Sequence, residues 1–99
     1  MLSQFCFDSA IQECKKALDI TLRNNYEELS LTLYNLIGII YTYTDDEQGA
    51  LDYYFKGIKL ATRMNDNMMC GALFANIAFL YRKFQAYDKA IETLRMAYD

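Results

Sequence analysis

The side chains of this sequence that could carry reactive chemistry are three cysteines, a short acidic run and a basic pair. Cys6, Cys14 and Cys70 include no Cys-x-x-Cys pair. Cys6 and Cys14 fall on one predicted helix about 12 Å apart, which is too far for a disulfide bond. The sequence has no histidine, the commonest general base and metal ligand. We therefore expect reduced structural thiols, no cofactor, no metal site and no enzymatic activity.

The acidic run 45–47 and the pair Arg82 and Lys83 each have a binding and a structural interpretation. Acidic side chains at 45–47 could hold a metal, but no second acidic cluster accompanies them and the glycine of a calcium loop is missing. Helix capping is the favoured interpretation there, because acids stabilise a helix N-terminus. Arg82 and Lys83 could bind an acidic ligand group, or stabilise a helix C-terminus by about 0.3–1 kcal/mol.

Length and composition limit the other function classes. The chain has 99 residues, of which 54% are hydrophobic, and it contains no proline. This composition predicts one small helical domain rather than disorder. The net charge is −3 with both signs mixed along the chain, so we expect no nucleic-acid partner. No apolar run reaches the roughly 18 residues of a membrane span and no signal peptide is present, which favours a cytoplasmic location.

Apolar residues recur at helical spacing along the whole chain, as at Leu33, Ile37 and Tyr41. Asn24-Asn25 and Asn65-Asp66 suit a helix end followed by a new helix start. Thr44-x-x-Glu47 matches a capping box that opens the next helix. The sequence therefore predicts an all-α fold with five antiparallel helices over 5–23, 26–43, 46–63, 67–84 and 87–99.

The chain also matches itself when it is shifted by 40 positions. The pairs and triplets in register are Ala10, Ala50 and Ala90; Leu33 and Leu73; Ile37 and Ile77; and Tyr41 and Tyr81. This period divides the chain into a half repeat over 1–24, a full repeat over 25–64 and a nearly complete repeat over 65–99. We interpret the whole as one domain.

Two segments resemble the signature of the tetratricopeptide repeat (TPR). They are Tyr34-x-x-Ile37-Gly38-x-x-Tyr41 with Ala50-x-x-x-Tyr54, and Phe74-x-x-Ile77-Ala78-x-x-Tyr81 with Ala90-x-x-x-Leu94. The proline that usually follows the second helix of the repeat is missing here. The period of 40 rather than about 34 resembles the longer subtype found in kinesin light chains and bacterial signalling regulators. The resemblance implies an α-solenoid of helical hairpins in which small Gly38 and Ala78 let paired helices approach.

The same resemblance implies that the repeat pattern is cut at both ends, so we interpret the chain as a fragment of a longer protein. The terminal helices would then keep apolar stripes. These comprise Phe5, Phe7, Ile11, Leu18 and Leu22 on the first helix and Ala90, Ile91, Leu94, Ala97 and Tyr98 on the last. We predict self-association through Ile91, Leu94 and Tyr98, because stripes of that size rarely stay bare.

By the same resemblance, the helices over 26–43 and 67–84 line a concave groove. Asn35 and Asn76 are placed to hydrogen-bond the backbone of a peptide, since a carboxamide both donates and accepts. The expected groove face comprises Thr32, Asn35, Ile39, Thr42 and Tyr43 on the first of these helices. On the other it comprises Ala72, Ala75, Asn76, Phe79, Arg82 and Lys83.

Three functions fit this pattern. The first is a scaffold domain that binds a protein or peptide in the concave groove. The second is a sensory or dimerisation module of a larger bacterial signalling protein, of the diguanylate cyclase or histidine kinase type. The third is a structural role in self-assembly, with head-to-tail oligomers and no other ligand.

Overall fold

The computed structural model describes residues 4–84 and 87–98, with the side chains of 6–84 and 89–97. Within these ranges the chain forms five α-helices and no strand, which confirms the all-α prediction. The helices are α1 (Gln4–Arg23), α2 (Glu27–Tyr43), α3 (Glu47–Arg63), α4 (Asn67–Lys83) and α5 (Tyr87–Tyr98). Each observed bound lies within one residue of the predicted one.

The first three turns between helices share one backbone conformation. Asn25, Asp45 and Asn65 adopt left-handed φ angles of 57°, 62° and 58°, which Asn and Asp tolerate better than most residues. The next amide donates to a carbonyl five residues back, as in Tyr26 N–H to Thr21 O at 2.9 Å. This is the Schellman arrangement that ends a helix. Because the turn recurs every twenty residues, successive helices reverse direction in the same way.

The predicted capping box at Thr44 and Glu47 is wrong. Thr44 belongs to the turn that ends α2, and its hydroxyl donates to the Tyr41 carbonyl at 3.2 Å. The residue that caps α3 is Asp46, whose carboxylate accepts the Gly49 N–H at 2.9 Å. The left-handed Asp45 separates the end of α2 from the start of α3. The N-cap of α3 is therefore residue 46, two residues after the predicted position 44.

The helices pack in two layers. Each helix packs against its neighbours in the sequence, and α2 also approaches α4 directly. Among the described residues, no Cα of α1 or α5 lies within 8 Å of a Cα of α3. The layer of α2 and α4 is therefore tighter than the layer of α1, α3 and α5. This difference makes the α2–α4 side concave and leaves a cleft between α1 and α3 on the convex side.

The contact between Gly38 and Tyr54 sets the distance between α2 and α3. Tyr54 is 1% exposed, and a Cβ built on Gly38 would lie 2.5 Å from Tyr54 Cε1. The Tyr54 hydroxyl is 3.2 Å from Thr42 Oγ1, which also donates to the Gly38 carbonyl at 2.9 Å. The expectation that a small residue lets the paired helices approach is thus met at Gly38, since any side chain there would displace the ring.

The expectation of bare apolar stripes on the terminal helices is wrong for three of their residues. Ile11, Leu18 and Ala90 are 7%, 6% and 3% exposed, because α1 packs on α2 and α5 packs on α4. Phe5 lies outside the described side chains. The apolar stripe that stays exposed on each terminal helix is therefore narrower than the sequence pattern implies.

Gly38→Ala should lower the free energy of unfolding by about 1–3 kcal/mol, because the new methyl group overlaps the buried Tyr54 ring. Gly71→Ala is the matched control, since its added Cβ would meet only the Ala97 carbonyl oxygen, at 4.0 Å. That change should instead stabilise α4 by about 0.5–1 kcal/mol through helix propensity. Urea denaturation of both variants checks the pair. A Gly38→Ala protein as stable as Gly71→Ala would contradict the assigned packing.

Candidate functional site

The concave side is formed by the exposed faces of α2 and α4. On α2 this face carries Thr32, Leu36 and Tyr43, with Asn35 and Ile39 half-buried beside α4. On α4 the exposed residues are Asn67, Met68, Ala72, Ala75, Phe79, Arg82 and Lys83. The face is largely apolar and carries little charge, which suits contact with another chain better than contact with a highly charged polymer.

A pocket of about 240 Å³ lies between the C-terminal halves of α2 and α4. Its lining residues are Ile39, Thr42, Tyr43, Tyr54, Asn76 and Phe79. Tyr43 and Phe79 are 60% and 51% exposed and stand at its rim. Five of the eleven groove residues expected from the sequence thus line one pocket: Ile39, Thr42, Tyr43, Asn76 and Phe79.

Asn35 and Asn76 bind each other across the groove. Asn76 Nδ2 donates to Asn35 Oδ1 at 2.7 Å, and both side chains are partly buried. Asn76 Oδ1 and Asn35 Nδ2 make no hydrogen bond with another described residue. No buried side-chain oxygen or nitrogen in the described part lacks a partner, so these two atoms are open to solvent. The pair therefore keeps one acceptor and one donor for a peptide bond.

Lys83 is held by the end of α2. Its Nζ donates to the Thr42 carbonyl at 2.6 Å, lies 2.9 Å from Asp45 Oδ1, and sits 5.7 Å from the centre of the Tyr43 ring. These contacts place a cation at the C-terminus of a neighbouring helix, where it is favourable. Lys83 therefore joins the end of α4 to the end of α2 beside Tyr43, whereas Arg82, at the preceding position of α4, is exposed.

The expectation that Thr42 presents its side chain to the groove is wrong. Thr42 is 2% exposed, because its hydroxyl turns inward between the Gly38 carbonyl and the Tyr54 hydroxyl. It forms the floor of the pocket and makes no polar group available to a ligand. The groove floor is consequently built on the same contact that joins α2 to α3.

The convex side holds a larger pocket, of about 360 Å³, which sequence reasoning missed. It lies between the C-terminal ends of α1 and α3, over Tyr34 of α2. Its lining residues are Leu22, Tyr34, Lys56, Lys59, Leu60 and Arg63. The spacing of Lys56, Lys59 and Arg63 at i, i+3 and i+7 places three cations on one helix face, which is the signal that could have found it.

The Cys14 and Cys70 side chains are half-buried, whereas that of Cys6 is exposed. Burial, with a smaller contribution from Glu13, raises the pKa of the Cys14 thiol, which disfavours the nucleophilic thiolate. Cys70 Sγ lies 3.6 Å from Thr62 Oγ1. Among the described residues, no group of three or more His, Cys, Asp or Glu side chains is placed to hold a metal ion. None of the described helices is both long and apolar enough to span a bilayer.

The residues expected to mediate self-association lie on α5. Ile91 and Leu94 are 52% and 36% exposed on one helix face, and Met96 is 57% exposed on another. Tyr98 ends α5, and its side chain lies outside the described residues. The described part of α5 therefore carries three exposed large apolar side chains within six residues.

Comparison with known proteins adds no relative. No protein-family model, curated protein or solved structure matches the chain.

The free energy of unfolding should fall as the pH becomes alkaline. Burial raises the pKa of Tyr34, Tyr54 and Tyr81 above the ordinary value of 10.0, and the hydrogen bond to Tyr41 raises the pKa of Lys15 above 10.5. A raised folded-state pKa contributes stability that is fully present below the unfolded-state pKa and is lost as the pH rises through the folded-state value.

Denaturant titrations at about pH 8 and about pH 11 measure this loss. Tyr54→Phe keeps the buried ring and removes the titrating hydroxyl, so the variant should lose less stability between the two pH values than the wild type. Equal losses in the two proteins would show that Tyr54 contributes nothing to the alkaline transition.

Proposed function

We propose that this chain is a protein-binding scaffold domain whose concave groove binds an extended peptide segment of a partner. The observation that carries the proposal is the pocket between α2 and α4, with exposed Tyr43 and Phe79 at its rim and the Asn35–Asn76 pair beside it. Exposed aromatic residues around a pocket are typical of binding surfaces.

The chemistry of the groove favours a peptide over a rigid apolar ligand. The Asn35–Asn76 pair leaves one donor and one acceptor open, which matches the alternating groups of an extended backbone. The pocket beside the pair has room for one bulky side chain of that peptide, packed between Phe79 and Tyr43. The resemblance to tetratricopeptide repeats also implies a binding groove on the α2–α4 side of the molecule.

The pocket is also held in shape before any ligand arrives. Lys83 ties the α4 end to the Thr42 carbonyl, and Asn76 ties the middle of α4 to α2. A groove whose walls are already joined loses little conformational freedom on binding, which favours affinity.

Phe79→Ala should weaken binding of a groove ligand about ten-fold or more, because an exposed aromatic anchor is removed. A ligand is obtained by selecting peptides from a random displayed library against the wild-type protein. Its affinity for each variant is then measured by fluorescence anisotropy.

Phe55→Ala is the matched control, because Phe55 lies on α3 and is 50% exposed, against 51% for Phe79. The proposal requires Phe55→Ala to bind the selected peptides as the wild type does. Peptides that bind Phe79→Ala with unchanged affinity would exclude the concave groove as their site.

A second function, self-association as in a dimerisation module of a signalling protein, is favoured by the exposed apolar residues of α5. Ile91 and Leu94 stand three residues apart on one face of α5, and exposed apolar side chains of this kind contribute to interaction surfaces. In this alternative the role of the domain is to bring two copies of the chain together.

Ile91→Glu should shift a concentration-dependent dimer to monomer, since a carboxylate in an apolar interface is costly to bury. Size exclusion with light scattering over a concentration series measures the change. Ile20→Glu on α1 is the control, with Ile20 56% and Ile91 52% exposed. A wild type that stays monomeric throughout, or a dimer that survives Ile91→Glu, argues against α5 as the interface.

A further inference from the structure

The cleft between α1 and α3 is lined in part by cationic side chains, whereas the pocket of the concave groove has no charged lining residue. Its floor is the Tyr34 ring of α2, and Leu22 of α1 and Leu60 of α3 form apolar walls. The pocket volume is about 360 Å³, which is within the range of small-ligand sites. The cleft stays open because α1 and α3 do not approach one another among the described residues.

Cations line one side of this cleft. Lys56, Lys59 and Arg63 stand on a single face of α3 and span about 10 Å along its axis. Arg63 is ion-paired with Glu27 of α2, whereas Lys56 and Lys59 make no ion pair with another described residue. The cluster thus carries uncompensated positive charge on a chain whose net charge is −3.

An aromatic cluster continues the cleft toward the N-terminal half of α3. The Tyr53 ring lies 5.8 Å from the Tyr41 ring and 6.3 Å from the Tyr34 ring. Lys15 of α1 donates to the Tyr41 hydroxyl at 2.7 Å, and its Nζ is 5.6 Å from the centre of the Tyr53 ring. Lys56 Nζ of α3 lies 4.7 Å from the centre of the same ring. Cations are therefore fixed on both walls, over aromatic faces that attract them.

We propose that this convex cleft is a second binding site, which takes an acidic peptide segment with one bulky apolar residue. The apolar side chain enters the pocket between Leu22 and Leu60 over Tyr34. Acidic residues on either side of it meet Lys56, Lys59 and Arg63. A peptide fits better than a small anion, because the cations are spread over about 10 Å and a single carboxylate reaches only one or two of them.

The probe for this site is a fluorescein-labelled peptide with a central leucine flanked on each side by glutamates, and its binding is followed by anisotropy. The wild-type protein should bind it saturably. Affinity should fall as salt is raised, because exposed charges are screened. A second probe with alanine in place of the leucine tests the pocket without any change to the protein, and it should bind several-fold more weakly.

Lys59→Glu should weaken binding of the leucine probe about ten-fold, since an attraction becomes a repulsion at the pocket rim. Lys16→Glu makes the same change of charge on α1, where the Lys16 side chain is 72% exposed and pairs with Glu13. This control should stay within about two-fold of the wild type. Far-UV circular dichroism confirms that both variants remain folded.

Three results would overturn the site. Absence of saturable binding excludes it outright, and equal weakening by Lys16→Glu and Lys59→Glu assigns the binding to net charge alone. Loss of the probe in Phe79→Ala with no loss in Lys59→Glu assigns the probe to the concave groove. Because Phe79→Ala reports only on the groove, the convex site and the groove proposal can fail independently.

Discussion

The phenol ring of Tyr54 lies against the backbone of Gly38, and the placement of α3 on α2 depends on this contact. The Tyr54 hydroxyl is 3.2 Å from Thr42 Oγ1. The Thr42 carbonyl accepts a hydrogen bond from the Lys83 ammonium group of α4. One buried contact is thereby connected, through a single threonine, to both walls of the concave groove. The same atoms therefore set both the packing of α3 on α2 and the shape of the concave groove.

The three identical turns explain how five short helices produce two different surfaces. Each left-handed Asn or Asp reverses the chain in the same way, so alternate helices fall in the same layer. The layer of α2 and α4 is tight enough for Asn76 to bind Asn35 across it, whereas α1 and α3 are held apart. The tight layer yields a smaller pocket lined mainly by apolar and aromatic side chains, and the open layer yields a larger pocket that long basic side chains line.

The charge distribution matters more here than the net charge. The chain is acidic as a whole, yet Lys15, Lys56, Lys59 and Arg63 gather at the convex cleft. Exposed charges act over about one Debye length, roughly 8–10 Å, so a partner in the cleft experiences the local cations. An expectation about partners that is based on net charge alone therefore does not apply to this part of the surface.

The amino-acid sequence by itself determined the helices and their ends, because apolar spacing and turn-forming Asn and Asp act over a few neighbouring residues. It also determined the close approach at Gly38, since a missing side chain has the same effect in any packed hairpin. Only the tertiary structure decided that Asn76 binds Asn35, that Lys83 holds the end of α2, and that a basic cleft opens between α1 and α3. Those contacts join residues 41 apart or on non-adjacent helices, and they depend on how the helices cross, which no local pattern specifies.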